Sequence, residues 1–217
     1  MRPKHLAIEL SKLQPHPCVS VELEQYATEG DLASYWIRAI EQLDGLDGKR
    51  ILDLGAGNGI LGIGCVLLGA VHATLIEADA AAVEVIQTNI QSISKHFAGE
   101  FEVRHEMVST TTQNLEQPPD IVVMNPPWGV QTARADRPML EYAFSQGAGV
   151  VHVLHSAKAH HVQAIADQYG YQSEAVFETE FRLPPTYQHH TKRKATTSVR
   201  CWRFHRPGDT KLNDDEQ

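Results

Sequence analysis

The sequence predicts an α/β fold with a mostly parallel, seven-stranded sheet, helices on both faces and an antiparallel edge. Short apolar, β-branched runs alternate with longer amphipathic segments along most of the chain. Repeated β-α units of this kind require a parallel sheet that is covered on both faces. The last two predicted strands are joined by a basic segment, which indicates an antiparallel pair at one edge.

Each element follows from its local pattern. Asp31, Asp79 and Asp136 are predicted N-caps, because a carboxylate can accept from the first helical N–H groups. On the helix that Asp31 begins, one buried face is expected to contain Leu32, Tyr35, Trp36, Ala39, Ile40 and Leu43. The predicted helices cover about 4–13, 31–43, 60–68, 80–90, 136–146 and 157–169. The predicted strands cover about 50–54, 73–77, 101–105, 120–124, 150–154, 171–179 and 197–204.

The length of 217 residues suits one domain with a full hydrophobic core. We expect this domain to span residues 1–207, with residues 1–48 as an N-terminal helical cap. Residues 182–206 are expected to form a basic segment that faces the substrate. The polar, acidic residues 208–217 are expected to be a disordered tail.

Composition narrows the class of protein. No apolar run reaches the roughly 18 residues of a membrane span, and the first residues do not resemble a signal peptide. Cys18, Cys65 and Cys201 are few and widely spaced, which indicates reduced thiols and a cytoplasmic protein. The pairs His160-His161 and His189-His190 lack partners at metal-ligand spacing, so solvated or nucleic-acid-facing histidines are expected and no metal site is predicted.

Charge is unevenly distributed. The net charge is -8, yet residues 182–206 contain seven Lys or Arg and no Asp or Glu. A basic segment in an otherwise acidic protein creates a local positive potential, which favours binding of a polyanion such as nucleic acid. A solvated basic loop is the alternative interpretation.

The tetrapeptide Asn125-Pro126-Pro127-Trp128 follows an apolar strand. The prolines stiffen the loop and leave carbonyl groups free to accept hydrogen bonds. The Asn side chain adds one acceptor oxygen, and an exposed Trp would offer a flat face for stacking. These groups suit a planar amine, although a proline-rich turn at a strand end is also compatible with the pattern.

A glycine-rich loop follows the first predicted strand, in the sequence Asp53-Leu54-Gly55-Ala56-Gly57-Asn58-Gly59. Glycines remove side chains where a ligand approaches the backbone. The second strand ends in Glu77, whose carboxylate can accept hydrogen bonds from the hydroxyl groups of a ribose. Together they favour a nucleoside-containing cofactor, although a Gly-x-Gly pattern alone is weak evidence.

Polar groups therefore follow four predicted strands: the glycine loop, Glu77, Glu106 and Asn125. Ligands of open α/β sheets bind beyond the carboxyl ends of the strands. The sequence thus predicts one site at this edge of the sheet.

These motifs resemble those of class I S-adenosylmethionine-dependent methyltransferases with an Asn-Pro-Pro-aromatic motif. The chain is similar to an archaeal-type relative of the methyltransferase-like family that makes N6-methyladenosine in small-subunit ribosomal RNA. The resemblance spans nearly the whole chain, and its most particular elements are 24–28 and 183–187. Glu77, Glu106, Trp128 and Ala27 depart from the residues usual in that family.

The resemblance implies a Rossmann-like fold, S-adenosyl-L-methionine as cofactor, and a set of roles. Catalysis would use Asn125, Pro126, Pro127 and Trp128. Gln25 and Thr28 would pack near the methionine end, Glu77 would bind the ribose, and Glu106 with Met107 would bind the adenine. The other implied cofactor-binding residues are Tyr26, Asp53, Gly55, Gly57, Asn58, Ile60 and Asn125.

The expected reaction is methyl transfer to an adenine N6 amine in RNA. Asn125 and the Pro126 carbonyl would each accept an amine hydrogen, and Trp128 would stack on the base, so positioning and electrostatics would dominate catalysis. The base would be splayed out of its stack. Lys192, Arg193 and Lys194 would hold the flanking phosphates.

Alternatives use the same fold. A protein glutamine methyltransferase or a DNA adenine methyltransferase could share the tetrapeptide, and a non-catalytic ribosome-assembly factor could share the cofactor site. The resembling eukaryotic proteins work with a small zinc-containing activator that pairs with a sheet edge, so such a subunit is a possible partner. A membrane partner is not expected.

Overall fold

A computed structural model describes residues 3–17, 28–93, 98–128, 135–182 and 196–208. Seven strands form one sheet in the order β3-β2-β1-β4-β5-β7-β6. The strands are β1 (Arg50–Leu54), β2 (His72–Glu77), β3 (Glu100–His105), β4 (Ile121–Met124), β5 (Val150–Ser156), β6 (Gln172–Arg182) and β7 (Thr196–His205). The helices are α1 (Pro3–Ser11), α2 (Gly30–Asp44), α3 (Ile60–Leu67), α4 (Ala80–Ile93), α5 (Arg137–Ser145) and α6 (His160–Gln168).

Strand direction confirms the predicted fold class. β3, β2, β1, β4 and β5 are parallel neighbours, whereas β7 runs antiparallel to both β5 and β6. The last two strands therefore form the expected antiparallel edge. The register places Leu54 between Ile76 and Met124, so the loops that follow β1, β2 and β4 emerge side by side.

Two apolar clusters lie on opposite faces of the sheet. Alternate strand residues face opposite sides, so Ile51 belongs to one cluster and Leu52 to the other. The first face is covered by α1, α2, α3 and α4, through residues such as Leu10, Trp36 and Ile63. The second is covered by α5 and α6, which is the two-sided packing that parallel strands require.

The buried face of α2 differs from the prediction. Tyr35 and Leu43 are 60% and 50% exposed, so their expected burial is wrong. The buried residues are Ala33, Ser34, Trp36, Ile37 and Ile40. The helix is rotated so that the 33/37/40 stripe contacts the core, and Tyr35 meets Phe177 of β6 edge to face at 5.0 Å between ring centroids.

Helix starts also differ from the sequence pattern. Asp79 accepts from Ala81 N at 2.9 Å, as an N-terminal cap should. Asp31 lies inside α2, which begins at Gly30, so its expected role as N-cap is wrong. Asp136 does occupy the N-cap position of α5, but its side chain makes no capping hydrogen bond and contacts two histidines instead.

Other expectations stay predictions. Within the predicted N-terminal cap, residues 1–48, the structure describes the helices α1 and α2. Cys18 and residues 209–217 lie outside the described residues. Cys65 and Cys201 are buried free thiols. Within the described ranges, no helix has the length and apolar character needed to cross a membrane.

Candidate active site

The carboxyl ends of four adjacent strands bring the predicted site residues together. Glu77 ends β2, Glu106 follows β3, and Asn125 follows β4, with the glycine loop of β1 between them. Backbone hydrogen bonds join the loops: Gly55 N donates to Ile76 O, and Glu106 N donates to Glu77 O, both at 2.9 Å. The predicted convergence at this edge of the sheet is confirmed by this geometry.

The glycine loop depends on backbone conformations that other residues rarely adopt. Gly55, Gly57 and Gly59 have φ angles of 70°, 60° and 81°, in the left-handed region. A Cβ added at Gly57 would lie 2.9 Å from Cδ2 of His16, so a side chain would not fit there. The glycines therefore allow the left-handed turn at the entrance to α3 and let side chains such as Met139 and His16 approach its backbone closely.

Asp53 lies beneath this loop and is only 1% exposed. Its Oδ2 accepts from Gly62 N at 2.7 Å, while Oδ1 has no hydrogen-bond partner among the described residues. Burial raises the pKa of this carboxyl to about 8, the Gly62 hydrogen bond opposes the shift, and the charge of Glu77 adds to it. Asp53 thus joins β1 to α3 and retains one buried acceptor.

Glu77 is held by backbone amides at the end of β2. Its Oε2 accepts from Gly57 N at 2.8 Å, and its Oε1 accepts from Ala78 N and Asp79 N at 2.8 and 2.9 Å. The carboxylate therefore lies beside the glycine loop that is twenty residues earlier in the chain. These contacts fix the orientation of the side chain, and its ribose-binding role stays a prediction.

The side-chain amide of Asn125 is fixed from both ends. Its Nδ2 donates to Thr28 Oγ1 at 3.1 Å, and its Oδ1 accepts from Trp128 Nε1 at 3.3 Å. Thr28 comes from the N-terminal part of the chain, so this hydrogen bond joins the segment before α2 to the end of β4. The Trp128 N–H identifies which end of the amide is the oxygen, because an indole N–H can only donate.

The expectation that Trp128 is exposed is wrong. Its side chain is 9% exposed and packs in the cluster that contains α2 and α3. Its ring lies 6.3 Å from that of His155 at a tilt of 37°. Burial leaves little of the indole face open to a base, and the structure assigns the side chain an orienting contact with Asn125.

Asp136, His155 and His161 form a cluster beside Trp128 that the sequence did not predict. Asp136 Oδ2 accepts from Nε2 of His155 at 3.1 Å and also contacts Nε2 of His161. Asp136 and His155 are buried, whereas the side chain of His161 is 49% exposed. Burial pushes the pKa of Asp136 upward, but the hydrogen bonds from both imidazoles outweigh it and hold this pKa below its usual value.

The donor atoms of Asp136, His155 and His161 lie within 4.8 Å of one another, which is close enough for a metal ion. However, Ser156 N donates to Nδ1 of His155 at 2.8 Å. A neutral imidazole that accepts at Nδ1 carries its proton on Nε2 and has no lone pair there for a metal. The cluster is therefore a hydrogen-bonded network that joins the start of α5 to β5 and α6, and the expectation that His161 lacks partners at metal-ligand spacing is wrong.

Other predicted residues vary in placement. Glu106 is half-buried, Met107 is 61% exposed, and Ile60 packs in the core, not along an open loop surface. Asn58 donates from Nδ2 to Gln14 O at 3.0 Å. Outside the described residues lie Gln25, Tyr26, Lys192, Arg193 and Lys194.

The basic segment 182–206 is only partly available to a substrate. Arg203 is 6% exposed, and it donates to Asp44 and Glu174, so its inclusion in a substrate-facing surface is wrong. Arg200 pairs with Glu178 and lies over the Trp202 ring at 4.5 Å. These pairings explain why the strand part of the segment is basic.

The residues present fit S-adenosylmethionine. The glycine turn that follows β1 and the Glu77 carboxylate beside it suit a ligand that carries a ribose. Asn125 lies next to this loop because β4 pairs directly with β1.

Comparison with known proteins decides the family. A family model described as "Conserved hypothetical protein 95" matches residues 35–176. A "putative RNA methyltransferase" from Pyrococcus horikoshii is 35% identical, with a TM-score of 0.81 over 95% of this chain and 98% of that chain. The chain belongs to the conserved hypothetical protein 95 family.

Two methyltransferases from animals are also similar to this chain. The rRNA N(6)-adenosine-methyltransferase Mettl5 of Drosophila melanogaster is 29% identical over 84% of this chain and 86% of its own length. The rRNA N(6)-adenosine-methyltransferase METTL5 of Danio rerio is 27% identical over 94% of this chain and 99% of its own length. The predicted resemblance and the Rossmann-like class I methyltransferase fold are confirmed.

Proposed function

We propose that this protein transfers a methyl group from S-adenosylmethionine to the N6 amine of adenosine in RNA, with small-subunit ribosomal RNA as the substrate. The observation that carries the proposal is the Asn125 amide, which Thr28 and Trp128 fix beside the glycine loop. The names of the Drosophila and Danio relatives support ribosomal RNA adenosine as the target.

When bound, S-adenosylmethionine supplies an electrophilic methyl group whose S–C bond breaks as the new N–C bond forms. Glu77 would hold its ribose, and Thr28 with the 55–59 loop would surround its amino-acid end. Glu106 and Met107 would contact its adenine. The predicted contributions of Gln25 and Tyr26 belong to the same proposal.

Asn125 would orient the amine that receives the methyl group. Its Oδ1 has two lone pairs, and the Trp128 N–H occupies one of them. The other can accept one amine hydrogen, while the Pro126 carbonyl accepts the second. Both acceptors draw the nitrogen toward a pyramidal geometry that directs its lone pair at the methyl carbon, and the surplus amine proton passes to solvent. Catalysis then depends on positioning and on fixed dipoles.

RNA recognition would involve a base splayed out of its stack and phosphate contacts from Lys192, Arg193 and Lys194. A small zinc-containing activator stays a predicted partner, and methyl transfer by the purified chain alone tests whether it is needed. A cytoplasmic location also belongs to this proposal.

The experiment incubates the purified protein with methyl-labelled S-adenosylmethionine and small ribosomal subunits. The RNA is then digested to nucleosides for mass spectrometry. We expect label in N6-methyladenosine at one position. Asn125→Ala should lower kcat by about 10²- to 10³-fold, as loss of one preorganised hydrogen-bonding group does elsewhere. Cofactor affinity should change much less, because the amide acts on the acceptor amine.

A matched control removes a different amide. Gln87 is exposed on α4, and Gln87→Ala should retain wild-type methyl transfer. Label in protein or DNA instead of RNA would contradict the proposal. So would cofactor binding without transfer to any RNA, in the presence or absence of an activator.

A further inference from the structure

A short segment near the N-terminus crosses the glycine loop. This strap, residues 14–17, follows α1 and contains His16 between two prolines. Asn89 of α4 is 1% exposed and joins both segments. It accepts from Gln14 N at 2.7 Å and donates to Gln14 O and Asn58 O at 3.1 and 2.9 Å. The buried amide of Asn89, together with the hydrogen bond from Asn58 Nδ2 to Gln14 O, therefore fixes the strap against the loop.

His16 lies directly on the backbone of Gly57. The position of a Cβ at Gly57 is 2.9 Å from Cδ2 of the imidazole, which is closer than ordinary van der Waals contact. Burial lowers the pKa of His16, and the nearby carboxylates of Glu77 and Asp79 raise it by a smaller amount. The ring is therefore neutral near pH 7, with one ring nitrogen protonated as a donor and the other an acceptor.

Glu77 has little acceptor capacity left for a ribose. A carboxylate has roughly four lone-pair positions. The N–H groups of Gly57, Ala78 and Asp79 occupy three of them, two on Oε1 and one on Oε2. One position on Oε2 is left for a hydroxyl. A ribose has two adjacent hydroxyl groups, so the second needs another partner on the same side of the loop.

We propose that His16 is a second ribose-binding residue of the cofactor site, and that its imidazole bonds the hydroxyl that Glu77 cannot accept. The strap would then form one wall of the pocket over Gly57, held there by Asn89. This inference rests on the proposed function, since it assigns a contact to the same cofactor.

The test is a thermodynamic cycle with S-adenosylhomocysteine and its 2′-deoxy and 3′-deoxy analogues. Their dissociation constants are measured by calorimetry on the full chain, as wild type and as His16→Ala. We expect His16→Ala to weaken S-adenosylhomocysteine binding by about 2- to 12-fold, the range for one hydrogen bond. One deoxy analogue should bind wild type and variant equally, because its missing hydroxyl is the one that His16 contacts.

Glu77→Gln supplies the matching cycle. The deoxy analogue that lacks the hydroxyl bonded by Glu77 should bind wild type and Glu77→Gln equally. Asn89→Ala, which loosens the strap, should weaken S-adenosylhomocysteine more than the analogue that lacks the hydroxyl bonded by His16. His5→Ala, an exposed histidine on α1, should leave every constant unchanged. If unfolding without ligand shows that the alanine variant does not fold, His16→Phe replaces it, because a phenyl ring can pack on Gly57 but has no hydrogen-bonding atom.

Equal weakening of all three ligands by both His16 variants would overturn the inference, because it would show a purely structural strap. Unchanged affinity would overturn it as well. A wild-type protein that binds no S-adenosylhomocysteine would instead contradict the proposed function, so the two failures are distinguishable.

Discussion

The indole N–H of Trp128 donates to Oδ1 of Asn125 across 3.3 Å, within a loop of only four residues. This contact sets the orientation of the amide, because the opposite orientation would place two donors against each other. Trp128 is therefore part of the support for Asn125, and its near-complete burial follows from that role.

Trp128→Phe should lower kcat by several-fold and leave cofactor affinity unchanged. The phenyl ring retains most of the packing but removes the N–H, whose net contribution as a hydrogen bond is about 0.5–1.5 kcal/mol. Steady-state kinetics and calorimetry with S-adenosylhomocysteine measure both quantities. Wild-type kcat in this variant would show that Asn125 needs no orienting donor.

Thr28→Val should lower kcat by up to about 10-fold. Valine has the same shape but no oxygen, so Nδ2 of Asn125 loses its acceptor. Thr28→Ser retains the oxygen and should keep activity near the wild-type level. The prediction fails if both variants lose activity equally, since packing alone would then explain the effect.

Asp53→Asn should make folding stability less sensitive to pH. The folded-state pKa of Asp53 is about 8, well above the ordinary value near 4 in an unfolded chain. Between these values the folded protein keeps a proton that the unfolded chain releases. The contribution of this group to stability is therefore greatest below pH 4 and declines as the pH rises to 8, by up to about 1.4 kcal/mol per unit.

Urea unfolding of wild type and Asp53→Asn at pH 5, 6 and 7 checks this sign. The difference in unfolding free energy, wild type minus variant, should decrease steadily with pH. Parallel pH profiles would indicate that Asp53 titrates normally in the folded protein.

Asp44→Ala should lower the free energy of unfolding by about 3–5 kcal/mol, because the buried Arg203 then keeps only the half-exposed Glu174 as a counter-charge and His152 loses its hydrogen-bond acceptor. Asp44 Oδ1 accepts from Nε and Nη2 of Arg203 at 2.9 and 2.6 Å, and its Oδ2 contacts His152 Nε2 at 2.8 Å. These contacts attach the end of α2 to β5 and β7. Urea denaturation measures the change.

An exposed ion pair provides the control for Asp44→Ala. Lys12 pairs with Glu9 at 2.6 Å, and its side chain is 61% exposed. Lys12→Met should change stability by less than about 1 kcal/mol, since surface pairs are screened by solvent. Similar losses in Asp44→Ala and Lys12→Met would contradict the claim that burial makes the Asp44 cluster important.

Much of the strand framework could be predicted because strand burial leaves a local pattern. The run at Ile121 is apolar throughout and the run at Ile51 is apolar apart from Asp53, and Gly55 and Asn125 mark where their loops begin. Helix faces were less predictable. Tyr35 and Trp36 are adjacent aromatic residues, and only the packing of α2 against α3 determines that Trp36 is the buried one.

The sequence by itself determined the order of strands and helices, the glycine loop, and the polar groups that follow each strand. Those features depend on residues that are close together in the chain. Only the tertiary structure decided that Trp128 is buried, that Asp136 bonds two histidines, and that His16 lies on Gly57. Each of these contacts joins residues from different elements, and neither spacing nor periodicity encodes which side chains meet once the sheet and its helices have packed.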